Sequence, residues 1–294
     1  MSAPLVSVMV PVYNRRVMLG DCLVSALAQT HRDLEVVVVD NASTDGTWEV
    51  CRQFARADSR VRIFRNSENI GPVRNWQRCF REARGHYGKL LFSDDVLSSY
   101  YLEKTLPWMR DPRVAFVFTM ALIGSKPQLS RSAYRFDPRT GRFSRSQYIR
   151  GALWGAKVPV SPGAALFRLS DLRGSLRLSI PSPSIADFEQ HGAGIDLLLY
   201  LMTAARYEEV GYVAEPLVFF RAHEGSITHS GDSRLADAYH QARIWFAAHT
   251  QGRWTLASTL AAAWLSTMKQ RRRPVSPSYI AHRFLPPVLE SWSA

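Results

Sequence analysis

The chain has 294 residues, 46% of them hydrophobic and 21% charged, with a formal net charge of +12. That is the balance of a globular protein with one large domain or two modest ones and ample chain for a core. It excludes a spanning helix, because the longest late apolar run, "TLASTLAAAWLSTM" (residues 255–268), is shorter and more interrupted than the ~20 residues a bilayer requires. The basic excess favours anionic partners: nucleic acid, an anionic membrane surface or a phosphate-bearing substrate.

The N-terminal "MSAPLVSVMVPVYN" has no basic leader region and runs directly into a strand pattern, so no signal peptide is expected. "LVSVMVPVY" is a short β-branched run of the kind buried in parallel sheets. The following segment, through Thr30, places Leu19, Cys22, Leu23, Ala26 and Leu27 on one helical face. "DLEVVVVD" (33–40) predicts a second buried strand, and "TDGTWEVCRQFARAD" a helix with Val50, Cys51 and Phe54 inward. A third strand, "VRIFRN" (61–66), precedes a helix carrying Val73, Trp76, Phe80 and Ala83, and "KLLFS" (89–93) is a fourth strand. Strand and helix alternating at this rhythm predict βαβ units and a parallel sheet with helices on both faces.

Beyond "RVAFVFTMALIG" (113–124), a further strand, the pattern weakens. Residues 125–150 are rich in Ser, Arg, Gln and Gly and read as a surface excursion. A short strand, "AALFRL", a helix from about Ile195, and a strand pair or single bent strand in "VGYVAEPLVFFRAH" follow, with helix from Asp232 onward. The three cysteines, Cys22, Cys51 and Cys79, form no CxxC pair and sit in apolar-periodic segments. They read as buried free thiols in a reducing cytosol.

In a parallel sheet ligands bind beyond the strand C-termini. The residues there are Pro11 to Asn14, Asp40 to Thr44, Asn66 to Asn69, and Ser93 to Asp95. Adjacent carboxylates such as Asp94 and Asp95 repel unless a cation lies beside them, and a hard divalent ion removes that cost; the alternative is a solvated turn in which Asp94 caps a helix. Asp40 is placed to accept hydrogen bonds from a base or ribose, or else belongs to a turn written in "NASTDGT". Asp196, before the apolar "LLLYLM", is either a carboxylate with its pKa raised in a partly desolvated cleft or a helix cap, and the two readings are compatible. "HEGSITH" is not a zinc-protease motif: Gly225 intervenes and His229 falls six residues after His223. The first strand is followed by no GxGxxG, and no Walker A sequence is present.

"VSVMVPVYN", "LAQTHRDLEVVVVDNASTDGT", "NSENIGPVRNWQRC" and "KLLFSDD", in that order, resemble the nucleotide-binding half of family 2 glycosyltransferases. The likeness is strong over residues 5 to about 110 and continues more loosely through "SPGAALFRLSDL", "GAGIDLLLYLM" and "FRAHEGSITH". It implies the GT-A fold: an α/β domain with a mostly parallel, Rossmann-like nucleotide-binding sheet flanked by helices, and a C-terminal acceptor-side helical region. On this reading residues 1–230 form the catalytic domain, with 1–110 the nucleotide-sugar half and 111–230 the acceptor-side half, and 231–294 form a helical extension. The resemblance implies that Pro11, Tyr13, Asn14, Asp40, Arg74 and Asp94 bind the nucleotide. It implies that Asp95 and His223, with Asp94 a further ligand, hold Mn²⁺ or Mg²⁺, and that Asp196 is the base of an inverting transfer. The donor would be a UDP- or dTDP-sugar, and the acceptor a hydroxyl of a glycan or lipid-linked sugar in bacterial surface polysaccharide or lipopolysaccharide synthesis, at a cytoplasmic site.

Two departures from the family pattern stand out. Phe92 fills the first acidic position of the metal motif, and Asn41 follows Asp40 where a second Asp is common. A basic C-terminal cluster, Lys269 and Arg271 to Arg273, adjoins apolar and aromatic residues and reads as an anionic membrane contact or as a solvated turn. Two other functions fit parts of the sequence. A nucleotidyltransferase would use the paired carboxylates but leave Asp196 idle. A nucleic-acid-binding protein would use the charge, although the basic residues are scattered rather than set in one aromatic-interleaved stripe.

Overall fold

The computed structural model describes residues 5–155, 158–182, 188, 189, 191–223, 233–271, 276, 283 and 284. Strand β1 (Val6–Val12) is buried along its whole length because both faces are covered. Val6, Val8 and Val10 point into one helical layer and Met9 into the other. Helix α1 (Leu19–Leu27) leads to β2 (Leu34–Asp40), which pairs parallel with β1 and places Asp40 beside Val12. Helix α2 (Thr47–Ala57) leads to β3 (Val61–Arg65), parallel to β2, with Arg65 opposite Asp40. Helix α3 (Pro72–Glu82) returns the chain to β4 (Tyr87–Leu90) on the other side of β1, again parallel. Crossing β1 in this way opens a crevice beyond the strand ends, at the point where the strand order reverses.

The second half extends the same sheet. A short β5 (Val96–Leu97) and α4 (Tyr101–Met109) precede β6 (Val114–Gly124). Then come β7 (Ser130–Ala133), β8 (Gly141–Ser144), α5 (Arg145–Leu153), β9 (Ala165–Arg168), α6 (Leu169–Ser175), α7 (Ile195–Ala204) and β10 (Glu209–Arg221). The main order is β3-β2-β1-β4-β9-β6-β10-β5, with β7 on β6 and β8 on β10. Strand β9 runs antiparallel to both β4 and β6, and β6 and β10 are again parallel to each other. Helices α8 (Ser233–Thr250) and α9 (Arg253–Arg271) follow.

Two apolar layers sandwich the sheet. One joins α1, Cys51 of α2, and α4 to the sheet, and the other joins α3 and α5–α8. All three cysteines are buried free thiols, as the apolar periodicity predicts. Residues 125–150 depart from the expected surface excursion. They contain β7, β8 and most of α5, and Tyr148 is completely buried against Phe116 and Phe118. Their polar residues face outward while a few aromatic and aliphatic side chains anchor them. "VGYVAEPLVFFR" is one long strand, bent where its pairing with β6 shifts register between Val213 and Pro216 and again before Val218.

Candidate active site

The loops after β1 and β2 are stitched together. Asn14 adopts a left-handed backbone (φ 50°), which Asn tolerates better than most residues. Its N–H donates to Ser43 Oγ, and its own Oδ1 accepts from the Thr44 N–H, each at 2.9 Å. Pro11 is buried beneath this junction, and Tyr13 is exposed at its rim. Asp40 is fully buried: the Ser43 N–H lies 3.3 Å from both its oxygens, and Arg65 Nε lies 3.1 Å from Oδ2. Asp40 therefore organises the 40–44 loop from below.

Asn41, the departure from a second Asp, has a structural account. Its amide donates to Asn69 Oδ1 at 2.7 Å, while its Oδ1 accepts from Asn66 Nδ2 (2.7 Å) and from the Ile70 N–H (3.0 Å). A carboxylate could not supply the donor to Asn69.

The acidic pair lies where β4 leaves the core. Asp94 Oδ2 is 2.9 Å from His223 Nε2 and 3.9 Å from Arg15 Nε. Asp95 is buried, and its Oδ1 accepts from the Arg221 N–H at 3.2 Å. Burial first, and the Asp94 charge second, push the Asp95 carboxyl well above the usual carboxylate range. Below them Lys89 is completely buried. Its ammonium donates to the Gly163 carbonyl and lies 4.3 Å from the Tyr101 ring centroid. Burial lowers its pKa to about 7, against a smaller upward pull from Asp95.

Asp196 sits in the first turn of α7 with only 9% of its surface exposed. Its Oδ1 accepts from the Leu197 N–H and its Oδ2 from the Tyr239 hydroxyl, both at 2.7 Å. Burial raises its pKa to about 7, and these hydrogen bonds restrain the rise. The expectation that Asp196 caps the helix is not met: Gly194 occupies the N-cap position, and Asp196 lies inside the first turn as a buried carboxylate accepting from the Leu197 N–H. The turn before it depends on glycine. A Cβ on Gly192 (φ 69°) would stand 2.4 Å from Trp76, and one on Gly194 (φ 84°) would stand 2.7 Å from the Ala238 carbonyl.

One residue missed in the sequence links the two ends. Tyr134 follows β7, has φ 60°, packs its ring edge-on against Phe220 at 6.1 Å, and stands in the electrostatic fields of both Asp196 and Asp95. Only tertiary pairing of β7 with β6 puts it there, so no local signal could have found it. Arg74 lies apart from the acidic pair and is held by Glu189, with Nε–Oε2 2.5 Å and Nη2–Oε1 3.1 Å. Glu189, Tyr239 and Arg243 likewise have no motif that marks them.

Asp94 Oδ2 and His223 Nε2 are joined by a direct hydrogen bond of 2.9 Å, so both would have to turn from each other toward a cation to ligate it. Among the described residues no group of three or more His, Cys, Asp or Glu side chains is arranged to hold a metal ion. Asp94, Asp95 and His223 are the side chains at the end of β4 whose chemistry suits a hard cation. Glu224 to Gly231, and the basic Arg272 and Arg273, lie outside the described residues, as do the side chains of Lys269 and Arg271.

A mostly parallel βαβ sheet covered by helices on both faces, with an acidic pair just beyond β4, has the architecture of a GT-A transferase. The chain belongs to glycosyl transferase family 2, whose family pattern matches residues 7–173. It is 38% identical over 116 residues to a putative teichuronic acid biosynthesis glycosyltransferase, TuaG, of Bacillus subtilis, covering 40% of this chain and 46% of that protein. It is 34% identical over 129 residues to a GalNAc(5)-diNAcBac-PP-undecaprenol beta-1,3-glucosyltransferase of Campylobacter jejuni, covering 44% of this chain and 41% of that one. These matches therefore span about half the length of the curated relatives. The fold resembles S. aureus TarS (residues 1–349) in complex with UDP-GlcNAc, with TM-score 0.67 and 15% identity over 92% of this chain and 73% of the other.

Proposed function

We propose that this chain is an inverting glycosyltransferase. It moves a sugar from a UDP- or dTDP-linked donor to a hydroxyl of a glycan or lipid-linked acceptor in surface polysaccharide synthesis. The observations that carry this reading are two carboxylate environments linked through Tyr134, which stands in the fields of Asp95 and Asp196: the acidic pair Asp94 and Asp95 beside His223, and the buried Asp196 with its pKa raised to about 7. A nucleotidyltransferase has no use for the second. The relatives named for teichuronic acid biosynthesis and for glucosyl transfer to an undecaprenol-linked glycan support the pathway class. The UDP-GlcNAc complex of the structural neighbour supports the nucleotide.

The acceptor hydroxyl attacks the anomeric carbon from the face opposite the diphosphate. Its proton passes to Asp196, whose pKa of about 7 suits a base working near neutral pH. The bond from the anomeric carbon to the phosphate oxygen breaks, and the electron pair leaves with the nucleoside diphosphate. A single displacement of this kind inverts the anomeric centre. Pro11, Tyr13, Asn14 and the loop held by Asp40 border the base end of the nucleotide, and Arg74 and Arg15 supply positive charge toward it. Asp94, Asp95 and His223 would hold Mn²⁺ or Mg²⁺. When bound, that cation supplies charge neutralisation for the leaving diphosphate. The Lys269–Arg273 cluster would contact an anionic membrane surface, which sedimentation with phosphatidylglycerol vesicles tests.

A panel of nucleotide sugars tests the reading, with nucleoside diphosphate release measured in the presence of Mn²⁺ or Mg²⁺. Release from one UDP- or dTDP-sugar is expected. Nucleotide transfer with pyrophosphate release, or no turnover of any donor, contradicts it.

A further inference from the structure

The surroundings of Asp196 are completed by a helix outside the family match. Residues 7–173 carry the matched pattern, yet α8 delivers two side chains toward Asp196. Tyr239 donates its hydroxyl hydrogen to Asp196 Oδ2 at 2.7 Å. One turn along, Arg243 stands 6.0 Å from the Tyr239 ring centroid and is tied to α5 by its Nε, which donates to the Ala152 carbonyl at 2.8 Å. The close seat of Ala238 on Gly194 fixes the register of α8 against the turn that launches α7. A turn of sequence on α8 is thus locked at both ends, with its phenol aimed at the carboxylate.

We propose that Tyr239 is the positioning residue of the transferase base: α8 holds the Asp196 carboxylate through the Tyr239 hydroxyl, with the Arg243 charge behind it, and so fixes both its direction and its proton affinity. The catalytic half of this proposal rests on the reading of Asp196 as the base. The sign follows from the donor. A phenol O–H donates to the ionised carboxylate and stabilises it, opposing the burial that disfavours the charge. Arg243 acts in the same sense. Burial and the neighbouring Asp196 charge push the Tyr239 hydroxyl well above its ordinary value, so it stays a donor across the working range. The other titratable groups whose fields meet Asp196 are Tyr134, after β7, and Tyr200, one turn along α7; burial raises both, so both stay neutral. Simple core packing would not require the hydroxyl, since Phe fills the same space.

The test uses the full chain labelled with ¹³C at the Asp carboxyl carbons, with Asp196→Asn identifying the Asp196 resonance. Tyr239→Phe is expected to move its titration midpoint up by about one pH unit. The acid limb of the rate of nucleoside diphosphate release should move up equally, with the donor KM unchanged. An unmoved midpoint overturns the proposal. A midpoint that moves while the rate limb stays put shows that Tyr239 governs Asp196 but that Asp196 is not the base, which overturns the catalytic half. If Tyr239→Phe fails to fold, Arg243→Gln carries the test. A smaller upward midpoint shift is expected there, and none overturns the proposal.

Discussion

Asp94 and His223 stand 129 positions apart in the chain and 2.9 Å apart in space, Oδ2 to Nε2. The long β10 strand makes this meeting. It carries the chain from Glu209 back along β6, so that His223 emerges two residues past its end and beside the exit of β4. With Asp95 buried next to Asp94, the three residues form a cluster at that end of the sheet.

If that end holds a divalent ion together with a diphosphate, UDP or dTDP should stabilise the protein more with Mn²⁺ than without. At ~100 times Kd, binding contributes about 2.7 kcal/mol, or roughly 4–5 °C in Tm for a chain of this size. Asp94→Ala, Asp95→Ala and His223→Ala are each expected to lose the metal-dependent part of the shift. Thermal-shift titration checks this, and equal shifts in parent and variants contradict the site.

Lys89 predicts a pH slope. Its folded pKa of about 7 lies below its ordinary 10.5, so between these values the unfolded chain binds the extra proton. Stability contributed by this group is therefore present above pH ~10.5 and is lost as pH falls through about 7. Lys89→Met should flatten the rise in unfolding free energy across that window, as read by urea denaturation at stepped pH.

Asp196 acts with the opposite sign. Its folded pKa of about 7 lies above its ordinary 3.8, so the favourable state exists below ~3.8 and is lost as pH rises through 7. Asp196→Asn should therefore stabilise the protein at pH 8, by at most about 4 kcal/mol. An Asn variant less stable than the parent at pH 8 would show that the carboxylate is well compensated by Tyr239 and the Leu197 N–H.

The turn before Asp196 gives a backbone prediction. Gly194→Ala combines a positive φ with a Cβ pressed on the Ala238 carbonyl, so a loss of about 2 kcal/mol or more is expected in denaturant titration. The Asp196–Tyr239 contact should loosen with it, lowering turnover more than nucleotide affinity.

The first half of the chain was largely legible from sequence because its information is local. "LVSVMVPVY" and "DLEVVVVD" are buried on both faces and look it, and the polar residues at their ends fall at the switch point. Trp76, Phe80 and Ala83 were readable from period alone and are buried as expected. The second half was harder. β7, β8 and α5 are short and polar on their outer faces, and they gain their place by pairing with β6 and β10. Tyr134 and Tyr239 reach the cleft only through such pairings and helix packing, and neither lies in a motif. Asp196 was legible as a carboxylate before an apolar helix, but its hydroxyl partner, 43 positions on, was not.

The most direct measurement compares Asp196→Asn with the parent in two readouts: Kd for the nucleoside diphosphate with Mn²⁺, and the rate of sugar transfer from the donor found in the panel. Transfer should fall by about 10²–10⁴-fold while Kd stays within about twofold. Transfer that survives the substitution, with nucleotide binding intact, would contradict the account.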